Sequence, residues 1–241
     1  MADKPNYGID SLAIVATLFV LGLAGVGIGA FAASPWRWIG YALGGYFLLG
    51  ACGMLFYSKT GKLAMRERLL NDLTWQGSEQ VLDVGCGRGL LTVGAARRLT
   101  SGKAMGVDVW LRNAVSGNAA RSVVENAKIE GVADRVEVQE GDARKLPFPD
   151  ESFDAVISNF VLHEMKTRDD CKQIVREIAR VLKPGGHIGL VDFIFTEECV
   201  QDLGRSGVTA SRRRDGPLSF WVSAILNFGA VRTYRVVGHK T

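Results

Sequence analysis

The residues best placed to do chemistry form one short run, Asp83-Val84-Gly85-Cys86-Gly87-Arg88-Gly89, with a carboxylate two positions before three alternating glycines. Glycine lets backbone approach a ligand where any Cβ would collide, so the run reads as a loop that cradles a nucleotide-like cofactor. A dinucleotide fingerprint has glycine or alanine at the sixth position from Gly85, and Leu90 stands there. No lysine followed by Ser or Thr comes after the glycines, which excludes a Walker-type phosphate loop. Asp83 argues the same way, because a carboxylate repels a pyrophosphate and suits a cationic amino-acid group. A second carboxylate, Asp108, lies about twenty residues beyond the loop, where it can accept from both ribose hydroxyls. Farther on, His163 precedes Glu164. Imidazole titrates near neutral pH, so His163 is a candidate general base with Glu164 to orient it. The alternative is that His163 only caps or packs at the start of the next segment.

These residues need elements to hold them. Val81 to Val84 is an apolar run short enough for a buried parallel strand, and Leu90, Leu91, Val93, Ala95 and Ala96 continue beyond the glycines as a helix. The free N–H groups of that helix face the loop. Lys103 to Val107 predicts a second strand ending at Asp108, and the alternation of Val136 to Glu140 predicts a third, leading into Gly141-Asp142-Ala143. Phe153 to Asn159 predicts a fourth. Leu182-Lys183-Pro184-Gly185-Gly186 reads as a turn, in which Pro184 ends a helix and the glycines redirect the chain into a fifth strand, His187 to Phe193.

In this order and spacing the segments resemble the motifs of the class I S-adenosylmethionine-dependent methyltransferases, over roughly Gly77 to the C-terminus. The nearest resemblance is to the broad group that includes quinone-biosynthesis C-methyltransferases, sterol methyltransferases and many small-molecule O-, N- and S-methyltransferases. The resemblance implies an α/β, Rossmann-like fold with a seven-stranded, mostly parallel sheet, and S-adenosyl-L-methionine as cofactor without a metal. It implies cofactor contacts from Asp83 to the methionine ammonium, from Gly85, Cys86, Gly87 and Gly89, and from Asp108 and Val109. Gly141, Asp142 and Ala143 would form the adenine site, with Asp142 taking the exocyclic amine, and Asn159 would add a further contact. Residues after the fourth strand flank the acceptor in this family, which places His163 and Glu164 there. Asn159 does not open the Asn-Pro-Pro-aromatic signature of amino methyltransferases, which counts against a nucleic-acid base as acceptor. Many small-molecule members carry a lid of helices before the first motif, whereas only a linker helix precedes Gly77 here. The membrane is therefore expected to supply part of the lid. Leu218 to Phe228 is unusually apolar and too short to span a bilayer, so it is expected to line a greasy pocket or dip into the interface.

The N-terminal quarter has a different character. Residues 11–33 carry no charge and are almost wholly apolar, and residues 38–57 form a second uncharged stretch of spanning length after Ser34-Pro35. Trp36, Trp38 and Tyr57 stand at the ends, where amphipathic rings favour an interface. The pattern predicts an antiparallel membrane hairpin over residues 1–57. Gly25 with Gly29 and Gly40 with Gly44 are candidates for its helix–helix contact. Lys4, Lys59, Lys62, Arg66 and Arg68 flank the outer ends while the turn carries only Arg37, so the positive-inside bias puts the N-terminus and the domain in the cytosol. A cleaved signal peptide fits poorly, because the apolar run is too long and a second one follows. Two buried core helices are the other alternative. Residues 58–76 predict an amphipathic linker helix, basic toward lipid headgroups, ahead of a methyltransferase domain at 77–241.

The chain has 241 residues, a formal net charge of +4 and four cysteines. Cys52, Cys86, Cys171 and Cys199 lack a zinc-like spacing, and a cytosolic setting disfavours disulfides. The run Arg212-Arg213-Arg214 lies on an expected sixth strand without interleaved aromatics, so it is read as facing anionic lipid rather than nucleic acid. The expected activity is methyl transfer to a small or lipophilic acceptor, such as a quinone precursor, lipid head group, phenol or thiol. The other reading is a non-catalytic membrane adaptor, whose mark would be decay of the motifs; Asp83, the glycines, Asp108 and Asp142 are all present. A short-chain NAD enzyme would need a Tyr-x-x-x-Lys dyad, and none occurs.

Overall fold

The computed structural model describes residues 4–110, 117–216 and 232–241. Two long helices come first, α1 (Leu12–Phe31) and α2 (Trp36–Phe56), packed along each other. A π-helical turn, Tyr57–Gly61, carries α2 without a break into α3 (Lys62–Asn71). Then come β1 (Gln80–Val84), α4 (Leu90–Ala96), β2 (Lys103–Asp108), α5 (Ala120–Ile129), β3 (Val136–Glu140) and β4 (Phe153–Asn159). The chain closes with α6 (Arg168–Val181), β5 (Leu182–Asp192), α7 (Thr196–Arg205), β6 (Val208–Arg214) and β7 (Tyr234–Lys240).

The strands form one sheet in the order β3-β2-β1-β4-β5-β7-β6. The first five are parallel, and β7 runs antiparallel between β5 and β6. Helices cover both faces, which is why the central strands are apolar on both sides: Val81, Leu82 and Val84 are all buried. One face packs on α6 and α7 through Ile174, Ile178 and Leu203, the other on α3 and α4 through Leu69, Leu70 and Leu91. β1 and β4 are adjacent while β2 and β3 lie to one side, so the strand order reverses beside β1. Ligands bind at the carboxyl ends of strands at such a switch point.

Three expectations change. The segment read as a turn before the fifth strand lies inside β5, where pairing jumps from Phe153↔Leu182 to Ala155↔His187 and leaves Lys183 to Gly186 as an irregularity. Gly185 takes a positive φ of 75°, so the glycine does turn the chain, but within the strand. The linker helix is also not a lipid-facing element. Met65, Leu69 and Leu70 of α3 are fully buried in the core with Val81 and Val191. Lys62 and Arg66 are only 5% exposed and meet Asp10, Glu67 and Glu130, because a buried cation needs a paired acceptor more than a headgroup. Arg212 and Arg213 are likewise tied inside the chain, to Glu197 and Asp72, and Arg212 lies over the Tyr234 ring at 4.2 Å. Those two arginines are therefore not a free lipid-facing patch.

The two long helices are apolar on all sides, and many of their large side chains, Phe31, Trp36, Trp38 and Leu49 among them, stay exposed. They are not core helices of the sheet domain. Each is long and apolar enough to cross a membrane, by length and composition. The glycine pairs do face one another: a Cβ on Gly25 would lie 2.8 Å from the Gly44 Cα, and one on Gly40 would lie 2.6 Å from the Gly29 nitrogen. Gly40→Leu should therefore force the helices apart at a cost of about 1–3 kcal/mol. Gly27→Leu, where a Cβ meets nothing within 4 Å, should be neutral. Thermal melts of the two variants in detergent check this, and equal melting would mean the hairpin is held elsewhere.

Candidate active site

The carboxyl ends of β1, β2, β4 and β5 open into a cavity of about 320 Å³. One wall contains Asp83, Gly85, Cys86, Gly87, Asp108, Val109, Gly141, Asp142, Ala143 and Asn159. Of the residues expected there only Gly89 is absent from the lining. It caps α4 from beneath with φ 82°, and a Cβ there would meet Val123 Cγ1 at 2.7 Å.

Each glycine of the loop has its own reason. Gly85 (φ 71°) donates to the Val107 carbonyl at 2.8 Å and leaves no room for a side chain, since a Cβ would lie 2.2 Å from Val161 Cγ2. Gly87 (φ 57°) is different: the nearest atom to a Cβ there is Asn118 Oδ1 at 3.9 Å, so its face is open to a ligand. Asp108 sets the position of that glycine. Its Oδ2 accepts from the Gly87 N–H at 2.8 Å and its Oδ1 from the Trp110 N–H at 2.6 Å, while the Trp110 indole donates to the Gly87 carbonyl at 3.1 Å. Each carboxylate oxygen keeps a lone pair for a hydroxyl.

Asp83 is 2% exposed, and its Oδ2 accepts from the Thr92 N–H and hydroxyl at 2.8 and 2.6 Å. Burial pushes its carboxyl up to about 7, the Thr92 hydrogen bonds oppose this, and the nearby Asp108 charge adds to the rise. A buried carboxylate with no cation beside it among the described residues is the environment an ammonium group would relieve. Burial raises the Cys86 thiol well above its usual value, so it is no nucleophile. Asp142 is held by Arg144, whose guanidinium donates to both carboxylate oxygens and keeps the carboxyl low, with Asp170 as Arg144's second partner. Asn159 Oδ1 is buried without a hydrogen-bond partner among the described residues. The open face at Gly87, the uncompensated Asp83 and the orphaned Asn159 oxygen fit a nucleoside carrying an amino-acid tail.

The opposite wall is aromatic and apolar: Phe160, Val161, Met165 and Phe193, with His163 among them. Phe160 has φ 57°, a strained value for a non-glycine residue, and its N–H donates to the Val191 carbonyl at 2.8 Å. His163 sits on a short 3-10 turn, Leu162–Glu164, with its ring 4.7 Å from that of Phe193. Glu164 Oε1 lies 3.3 Å from Nε2, as expected, and Asp192 Oδ2 lies 3.6 Å from Nδ1. Sequence reasoning missed Asp192, which is 2% exposed at the end of β5 and also accepts from the His163 backbone N–H at 3.2 Å. An aspartate closing a strand carries no local signal of a partner twenty-nine residues earlier. It also missed Tyr7, Asp10, Ser11 and Lys62, which line the cavity from before and after the helical hairpin. The N-terminal segment therefore walls part of the cavity. The apolar run Leu218–Phe228 falls outside the described residues.

Residues 82–190 match a family model described as a methyltransferase domain. Methyltransferase GfsG of Streptomyces halstedii is 35% identical over 130 residues, 54% of this chain and 43% of that protein. Demethylmenaquinone methyltransferase of Lactobacillus johnsonii is 32% identical over 130 residues, 53% of this chain and 49% of that protein. The matches thus span less than half the length of these relatives. A geranyl diphosphate methyltransferase solved with S-adenosylmethionine superposes with a TM-score of 0.58 at 17% identity, over 74% of this chain and 85% of that one, which establishes the fold. Residues 82–190 are thus similar to a methyltransferase domain, and the fold is that of an enzyme solved with S-adenosylmethionine bound.

Proposed function

We propose that this methyltransferase domain works at a membrane, moving a methyl group from S-adenosylmethionine to a small, lipophilic acceptor held against the aromatic wall. One observation carries the reading: a single cavity joins the Asp83–Gly87–Asp108–Asn159 wall to an apolar wall that contains His163. When bound, S-adenosylmethionine supplies a methyl carbon already activated by the sulfonium. The protein has then to position the acceptor and exclude water. Asp83 would hold the cofactor's ammonium, Asp108 its ribose, and Gly141, Asp142 and Ala143 its adenine. Phe160, Met165 and Phe193 present a dry surface to the acceptor. Where that acceptor is a phenol or thiol, His163 takes its proton, and the resulting imidazolium has Glu164 at one nitrogen and Asp192 at the other.

The membrane part of the proposal rests on α1 and α2. Helices of 20 and 21 residues extend about 30 Å at 1.5 Å per residue, the thickness of a hydrocarbon core. Their lipid-like exposed faces have no partner among the described residues. The distribution of lysine and arginine favours a cytosolic N-terminus and domain.

The test is incubation of the full-length protein in detergent with methyl-tritiated S-adenosylmethionine and a panel of long-chain phenols, thiols and quinols, followed by organic extraction. Transfer to at least one class supports the reading; none, from folded protein that binds the demethylated cofactor, favours the adaptor. With an acceptor in hand, His163→Ala should lower kcat about a hundredfold and leave cofactor affinity unchanged. Asp192→Asn should lower kcat less and alter its pH profile, whereas full activity of His163→Ala across pH would remove the base from the mechanism.

A further inference from the structure

We infer that the segment Lys4 to Ser11 is the acceptor-side wall of the cavity, and that acceptors reach it from the bilayer along the root of the helical hairpin. The inference rests on the methyltransferase and membrane readings above and assigns the surface that selects the substrate.

The segment has no regular structure of its own beyond an isolated bridge at Asp10. Side chains from elsewhere in the chain fix it. The Lys62 ammonium donates to the carbonyls of Tyr7 and Gly8 at 2.8 and 2.7 Å and to Asp10 Oδ1 at 3.2 Å, so all three of its donors are used. Ser58, on the π-helical turn, accepts from the Asp10 N–H at 3.1 Å and donates to Asp10 Oδ2 at 3.2 Å. Farther along, Asn126 of α5 pairs with both backbone groups of Asn6, at 2.7 and 3.0 Å. Arg88 of the glycine loop donates to the Asn6 carbonyl at 2.7 Å. The Tyr7 hydroxyl donates to Glu130 beneath the Arg66 guanidinium. The strap is thus stitched to the glycine loop, α5 and α3 together.

Its position gives it a role beyond bracing. Tyr7, Asp10, Ser11 and Lys62 face the same cavity as Asp83, Asn159 and His163. Ser11 is directly followed by α1, whose first residues Leu12 and Ile14 are about half exposed, and Ser58 lies just past the end of α2. The wall and the hairpin root are therefore one continuous surface, apolar on the hairpin side and polar where it meets the domain. A compound with a long apolar tail and a polar ring keeps its tail on such a surface while the ring enters the cavity. A strap anchored to both the hairpin root and the glycine loop would also place acceptor and cofactor relative to each other.

The test uses the full-length protein in phosphatidylcholine vesicles and a long-chain alkylphenol bearing a diazirine on its ring, irradiated and mapped by mass spectrometry. Adducts should concentrate at Tyr7–Ser11 and Phe160–Met165, and fall at least fivefold in Lys62→Met, which releases the strap. A short-chain, water-soluble version of the probe should label these positions less than a tenth as much. Adducts confined to the outer faces of α1 and α2, or unchanged by Lys62→Met, would overturn the wall; equal labelling by the short-chain probe would overturn the bilayer route. Lys59→Met, the same exchange at an exposed position of the π-helical turn, outside the cavity lining, should label as wild type does and shows that the Lys62→Met loss is specific to the strap. Calorimetry of the same samples with S-adenosylhomocysteine reports on the methyltransferase reading separately. The labelling pattern decides the wall whichever way that titration falls.

Discussion

Asp83→Asn should reduce affinity for S-adenosylmethionine by a hundredfold or more while making the free protein more stable at neutral pH. Both effects come from one buried carboxyl. In the folded protein it is raised to about 7 from an ordinary 3.8, so the fold prefers it protonated. The folded state then binds more protons than the unfolded state between roughly pH 4 and 7, and stability contributed by this group falls as pH rises through that window. Above about pH 7 the full penalty applies, on the order of a few kcal/mol, and the asparagine variant escapes it. Thermal melts of wild type should therefore lose stability relative to Asp83→Asn from pH 4 to 7 and run parallel above.

Cofactor binding carries the opposite sign. An ammonium needs the carboxylate, so binding below about pH 7 must release the Asp83 proton, and affinity should fall by up to tenfold per pH unit there. Above about pH 8 a free α-amino group begins to lose its own proton, so affinity should peak in between. A flat profile from pH 5.5 to 7.5 would remove Asp83 from the ammonium site.

The second large effect separates the glycines. Gly85→Ala and Gly87→Ala both place a Cβ on a left-handed residue, which costs about 1–2 kcal/mol. At Gly85 the added carbon also collides with Val161 at 2.2 Å, so this variant should lose several kcal/mol of stability and disturb the acceptor wall. At Gly87 the carbon meets only open cavity. Gly87→Ala should lose no more than that backbone cost of about 1–2 kcal/mol yet bind the cofactor at least a hundredfold more weakly. Denaturant melts paired with calorimetry check the contrast. Normal affinity in Gly87→Ala would mean that the ligand does not lie against this loop.

Much of this site was legible in the sequence because its signals are local. A strand that ends in Asp-Val-Gly-Cys-Gly and opens a helix constrains backbone geometry over a few residues, and the strand ends at Asp108, Glu140 and Asn159 follow from alternation and turn chemistry. The pairing of glycines in the hairpin followed from helical spacing. What stayed hidden depends on distant partners. Nothing near Lys62 or Arg66 tells that they fold inward onto Tyr7, Asp10 and Glu130, and so their charge read as a headgroup contact. Arg212 and Arg213 were misread for the same reason. Asp192 behind His163 and Arg144 on Asp142 depend on tertiary packing. Phe160 adopts a backbone conformation that its residue type disfavours, which no propensity argument predicts. The N-terminal strap is the largest omission, because a short polar stretch before an apolar helix ordinarily reads as a flank.

The most direct test of the central claim is calorimetric titration of the detergent-solubilised full-length protein with S-adenosylmethionine and S-adenosylhomocysteine, with NAD as control. The account predicts micromolar binding of both sulfur nucleotides and none of NAD. Failure of a folded sample to bind either sulfur nucleotide would contradict it and leave a cofactor-free adaptor at the membrane as the better description.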